Sequence, residues 1–154
     1  EILRQAQVAE RAGDAKAAIQ GYEDVLAICM SAGGGVCLRE RFQLLRVLTY
    51  FASVALMEKG DSLTAGAYGD RGVQLIEAAG GTDAMLRQME RWIPAEMSKM
   101  FRNDTFGACY LYAGLGAIER GDLDAARRIQ RTLRHISPDT ALTLEQQIDH
   151  VSKR

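Results

Sequence analysis

Apolar positions recur along most of the chain at helical rather than strand spacing. Tyr110, Ala113, Gly114 and Ala117 fall at i, i+3, i+4 and i+7. They are mostly small, which lets a second helix approach closely. Gly121-Asp122 follows. Glycine accepts the left-handed conformation that ends a helix, and the aspartate can accept a backbone N–H at the positive end of the next one. Leu123, Ala126, Ile129, Gln130 and Leu133 then form a second stripe, which Pro138 stops. The spacing predicts a helical hairpin over about 104–137.

Two more stretches repeat the pattern. Ile2, Ala6 and Ala9, the turn Gly13-Asp14, and then Ala18, Ile19, Tyr22, Val25 and Leu26 predict a hairpin over about 1–30. Ser31 to Gly35 is a flexible connection. From Val36 to Lys59 no breaker occurs, and Leu38, Phe42, Leu45, Leu48, Ala52, Ala55 and Leu56 give one broad apolar face. Such a helix is about 35 Å long. Gly60-Asp61 turns it into a partner helix that keeps Ala65, Val73 and Ile76 but carries Gly66, Gly69 and Gly72. Each costs about 1 kcal/mol against alanine in a helix interior. They mark either close packing or a weak helix, and this hairpin spans about 36–79.

An insert, about 80–103, separates the second and third hairpins. Thr82 or Asp83 can cap a helix with Met85, Leu86, Met89 and Trp92, and Pro94 starts or kinks a second piece with Met97, Met100 and Phe101. Four of the six methionines sit here, and methionine surfaces adapt to varied partners. Residues 139–154 predict a last, capping helix with Leu142, Leu144, Ile148 and Val151.

The aromatic Tyr110, small Gly114, Gly121-Asp122 turn, Ala126 and Pro138 together resemble one tetratricopeptide repeat (TPR). Gly13 to Leu26 resembles the second half of another. Arg127 stands where the family usually has an apolar residue, and the Gly-Asp turns at 13, 60 and 121 are spaced unevenly and wider than the 34-residue period. The resemblance implies one all-α domain over 1–154, with TPR-like antiparallel hairpins in a short right-handed solenoid or an irregular helical bundle. It also implies protein–protein interaction, as adaptor, scaffold or chaperone-like module. The first helix of each pair would line the groove, presenting Gln7, Glu10 and Arg11, then Tyr50, Val54 and Met57, then Leu111, Leu115 and Ile118. Two of these sets are apolar, so the expected ligand is an amphipathic helix or a second copy of the chain.

Composition changes little. The chain has 154 residues, 47% apolar and 25% charged, as in ordinary soluble globular domains. With 19 basic and 20 acidic side chains, no global bias towards nucleic acid or an anionic membrane follows. No apolar run is long enough to span a bilayer and no signal peptide is visible. The start at Glu1 suggests a piece or processed form of something longer, and the expected location is cytoplasmic. Cys29, Cys37 and Cys109 show no metal or redox spacing. Free thiols are the expectation, with a Cys29–Cys37 bridge as the alternative.

Candidate chemistry is sparse. No catalytic set, cofactor motif or metal-ligand spacing is present, and His135, His150 and Glu145 sit on separate predicted helices. Three glycines before Arg39 and Arg41 invite a phosphate-loop reading, but no Gly-Lys-Ser/Thr follows and no strand precedes. Arg127, Arg128, Arg131 and Arg134 form a basic face suited to an anionic partner, or simply a solvated surface. Arg128 and His135 resemble the Arg-x(4–6)-His pattern of HEPN ribonucleases, a remote alternative. Uneven long-helix arrays also resemble the sensor domains of bacterial transcription regulators, where an insert could close over a small effector. The chain is expected not to be an enzyme.

Overall fold

The computed structural model describes residues 1–154 and is all-helical, with no strands. The order is α1 (Ile2–Arg11), α2 (Ala15–Ser31), α3 (Leu38–Lys59), α4 (Ser62–Ala78), α5 (Thr82–Met89), α6 (Ala95–Phe101), a π-helical turn (Arg102–Gly107), α7 (Ala108–Glu119), α8 (Leu123–Arg134) and α9 (Pro138–Ser152). No helix is long and apolar enough to cross a membrane.

The three Gly-Asp turns share one geometry. Gly13, Gly60 and Gly121 adopt φ of 77°, 61° and 79°, a region that side chains with a Cβ resist. Asp14, Asp61 and Asp122 then cap α2, α4 and α8, accepting from Ala17 N at 3.1 Å, Thr64 N at 3.0 Å and Ala125 N at 3.0 Å. These turns pair α1 with α2, α3 with α4, and α7 with α8. The pairs join through α2 against α3 and α4 against α7, while α9 packs on both α7 and α8.

The α4–α7 contact is the tightest in the molecule, and it explains the three glycines. A Cβ on Gly66 would lie 2.6 Å from Gly116 Cα, one on Gly69 2.5 Å from Ala113 N, and one on Gly72 2.5 Å from Cys109 Sγ. Close packing, not a weak helix, is what those residues serve. Cys109 is sealed beneath them, and burial pushes its thiol up to about 12.

Two large apolar clusters result, beside a small one of Ala52, Ala55 and Ala65. One gathers Tyr22, Leu26, Leu44, Leu48 and Phe51 between α1, α2 and α3; the larger joins Ile76, Met85, Met89, Phe106, Tyr110, Leu133 and Leu144. The insert is therefore split. Met85, Leu86 and Met89 are core, whereas Trp92, Met97 and Met100 stay exposed.

Several expectations need correction. Neither Thr82 nor Asp83 caps α5; Gly81 stands at the cap and offers no side chain. The insert does not end at 103, because α6 runs through the π turn straight into α7. The turn has a packing reason. Phe101 and Phe106 are five residues apart and would point about 140° apart on an α-helix. A π ladder bonds i to i+5, so both reach Phe42, with ring centroids at 4.7 and 6.1 Å. Cys29 and Cys37 are not free thiols but a disulfide with Cα atoms 6.1 Å apart, linking the end of α2 to the start of α3 across the glycine loop. Arg41 is no phosphate ligand: it is buried, donating to Val36 O at 3.0 Å and to Leu75 O, near the end of α4, at 3.1 Å.

Candidate functional site

Three of the predicted groove positions on α1 meet α3 around one open cleft. Gln7, Glu10 and Arg11 from α1, Tyr22 from α2, and Arg46 and Tyr50 from α3 line a volume of about 430 Å³. Glu10 is its centre. Tyr22 donates to Glu10 at 2.8 Å, and Arg46 at 3.0 Å. Partial burial pulls the Glu10 carboxyl upward, but the Arg46 and Tyr22 bonds outweigh it and hold the group below the usual carboxylate range. Burial, reinforced by Glu10, pushes the Tyr22 hydroxyl up to about 12, so it remains a donor. Glu10 is spent on this internal network. Arg11 forms no ion pair and is exposed.

A stripe leaves the cleft along α3. Arg46, Tyr50, Val54 and Met57 fall at i, i+4, i+8 and i+11, one face of a helix. Tyr50 is 50% exposed and Met57 79% exposed, with Val54 half-buried between them. The Tyr50 ring is held edge-on to Phe51 at 5.0 Å, so the exposed aromatic is supported from the core side.

Leu111, Leu115 and Ile118 are placed differently. They are half-buried and pack against the larger core, on α7, which lies mainly against α4 and only slightly against α3. Their apolar surface is largely used up by the fold, so the open groove is more polar than its sequence suggested.

The basic residues also divide. Arg127, Arg131 and Arg134 line a cleft of about 250 Å³ between α8 and α9, together with Glu145 and Asp149. Arg134 lies 3.8 Å from Glu145, and Arg127 3.9 Å from Asp124. These contacts partly neutralise the face. Arg128 is exposed and does not line that cleft. His135 lines another one, beside Thr132 and Tyr110, so Arg128 and His135 do not share a pocket. His150 lies 3.4 Å from Arg154. No three His, Cys, Asp or Glu side chains converge as metal ligands would.

Sequence reasoning missed two groups here: Tyr22 as the partner of Glu10, and Arg46 as the clamp on both. The i+4 step from Arg46 to Tyr50 was the available signal. No family model matches the chain, and no curated protein or solved structure matches it either.

Proposed function

We propose that this chain is an interaction module that holds a segment of another polypeptide across α1 and α3. In this reading the helical pairs stack as a short TPR-like solenoid, and α1 and α3 form its inner face. The observation that supports it is the Arg46–Tyr50–Val54–Met57 stripe, which opens directly into the Gln7/Glu10/Arg11 cleft. Exposed aromatic and methionine side chains on a rigid helix are the usual anchors of such contacts. The ligand is an amphipathic helix. Its apolar side lies on Tyr50, Val54 and Met57, and an acidic residue at one end meets Arg11.

The test is affinity capture followed by mapping of the bound segment, with wild type, Tyr50→Ala/Met57→Glu, and Leu142→Glu as a control on α9, where Leu142 is also exposed. All three should keep their helical circular dichroism. The double variant should lose binding about tenfold or more, a change of about 1.4 kcal/mol, and the control should not. Equal binding by a folded double variant refutes the proposal. Light scattering at rising concentration separates a foreign partner from a second copy of the chain.

A further inference from the structure

The two sulfurs of the Cys29–Cys37 disulfide sit at opposite poles of two helices. Cys29 lies in the last turn of α2, the carbonyl end, and Cys37 heads α3. A helix dipole disfavours negative charge at the first place and favours it at the second. While Cys37 is bonded to Cys29, its sulfur caps no amide of α3. Cys37 is also the only residue other than glycine at positive φ, 50°, a region that a side chain with a Cβ resists.

The pair is thinly covered. Gly34 lies directly over it: a Cβ there would stand 2.8 Å from Cys29 Sγ and 3.0 Å from Cys37 Sγ. Gly33 and Gly35 beside it are in open space. Arg41 fastens both flanks. Its guanidinium donates to Val36 O, next to Cys37, at 3.0 Å and lies 3.8 Å from Met30 Sδ, next to Cys29. Two freed thiols would stay within reach of each other, so the bond can re-form.

A dithiol can exchange with such a pair in one order. Its thiolate attacks Cys29 Sγ, since Cys29 is half-buried where Cys37 is only 5% exposed. The Cys29–Cys37 bond breaks, and its electron pair leaves on Cys37 Sγ, where the α3 N-terminus stabilises a thiolate. The second sulfur of the dithiol then attacks its own partner in the mixed disulfide and expels Cys29. The reductant ends as a disulfide, and the chain ends with two thiols, having gained two electrons and two protons. Glu40, in the first turn of α3, opposes the Cys37 thiolate.

The disulfide closes one end of the seat that holds the α1–α2 hairpin. That hairpin meets the rest of the fold chiefly through α2 on α3. Glu10–Arg46 at 3.0 Å and Glu23–Arg71 at 2.7 Å are its ion-pair ties. We propose that Cys29–Cys37 is a reversible redox pair, a two-electron acceptor for dithiols, whose reduction loosens the seat of the α1–α2 hairpin on α3. The inference needs no partner in the α1–α3 cleft and stands independently of one.

The experiment equilibrates the full, folded chain with mixtures of reduced and oxidised glutathione. Alkylation of the folded chain stops the exchange, mass spectrometry maps the products, and circular dichroism follows the fold. Cys29 and Cys37 should both become alkylated while the helices persist, and the buried Cys109 should not. The glutathione adduct should form on Cys29 in about tenfold excess over Cys37. Glu40→Gln should move the equilibrium towards the dithiol by about twofold or more. On reduction by dithiothreitol, amide exchange in α1 and α2 should quicken about tenfold while that of α7–α9 stays unchanged. Cys29→Ser/Cys37→Ser should show the same quickening without any reductant. The proposal is overturned if the pair resists reduction until the helices melt. It is equally overturned if the adduct falls on Cys37 or evenly on both, or if exchange in α1 and α2 is the same in the oxidised and reduced chains.

Discussion

Gly69→Ala tests the central packing claim, because its two opposing effects differ in sign. In an uncrowded helix the change would stabilise by about 1 kcal/mol through helix propensity. Here the new Cβ would lie 2.5 Å from Ala113 N and 2.7 Å from Cys109 O, against ordinary contacts of 3.4–4 Å. Relief requires a movement of about 0.9 Å, and both obstacles are backbone atoms that cannot rotate aside. The α4 and α7 helices must separate, and Gly66 against Gly116 would loosen with them. Overpacking of this kind costs about 1–3 kcal/mol. With backbone on the opposing side, the upper part of that range applies, leaving a net loss of about 1–2 kcal/mol. For a chain of this size that lowers the melting temperature by about 3–6 °C. Urea denaturation should show a lower midpoint at unchanged slope. A rise in stability would refute the close approach of α4 to α7. Combining Gly66→Ala with Gly69→Ala should be non-additive, since both widen the same gap.

The remaining predictions are simpler. Cys29→Ser/Cys37→Ser should cost about 2–3 kcal/mol from loop closure over eight residues, read by denaturation with and without reductant. Arg41→Met leaves the Val36 and Leu75 carbonyls without their charged donor and should cost about 1.5–3 kcal/mol; a neutral result would show that water replaces the guanidinium. Glu10 sits below its ordinary range, so the stability it contributes is present above about pH 4.3 and is lost as pH falls through its lowered value. In Arg46→Ala that acid loss should shrink. Tyr22 and Tyr110 are both raised from 10 to about 12, so the fold should weaken between those pH values as the unfolded phenols ionise first. An ultraviolet phenolate titration alongside circular dichroism checks this.

Local signals in the sequence were reliable wherever one residue carries its own constraint. The Gly-Asp turns at 13, 60 and 121 fall in the structure where chain punctuation put them, because a left-handed glycine and a capping carboxylate act within a few residues. What was illegible depends on a neighbour far along the chain. Gly66, Gly69 and Gly72 are uninterpretable until α7 lies across them. Arg41 reads as a surface cation until the end of α4 supplies a carbonyl. Met85 and Met97 belong to the same methionine-rich stretch, yet one is core and the other is exposed, and only the placement of α5 and α6 separates them. The cleft lined by Glu77, Thr82, Tyr110 and His135 was likewise invisible, since these residues come from α4, α5, α7 and the turn after α8. The α1–α3 cleft was half legible: the resemblance to TPR hairpins pointed to Gln7, Glu10, Arg11 and Tyr50, but not to Glu10 being already engaged.

The π turn between Phe101 and Ala108 acts as a phase adjuster. It holds one residue more than an α-helical ladder would need, and the wider turn absorbs that residue so that α6 and α7 stay in phase. Deleting Asn103 would let the ladder run on as plain α-helix with Phe101 and Phe106 four residues apart, about 40° from each other, so both would still face Phe42. Inserting a residue instead would swing α6 by about 100° about its axis, taking Phe101 off Phe42 and turning Met97 and Met100 to another side of the molecule. A one-residue insertion in this segment should therefore be far more damaging than a one-residue deletion, and the orientation of the insert is encoded in a residue count rather than in any one contact.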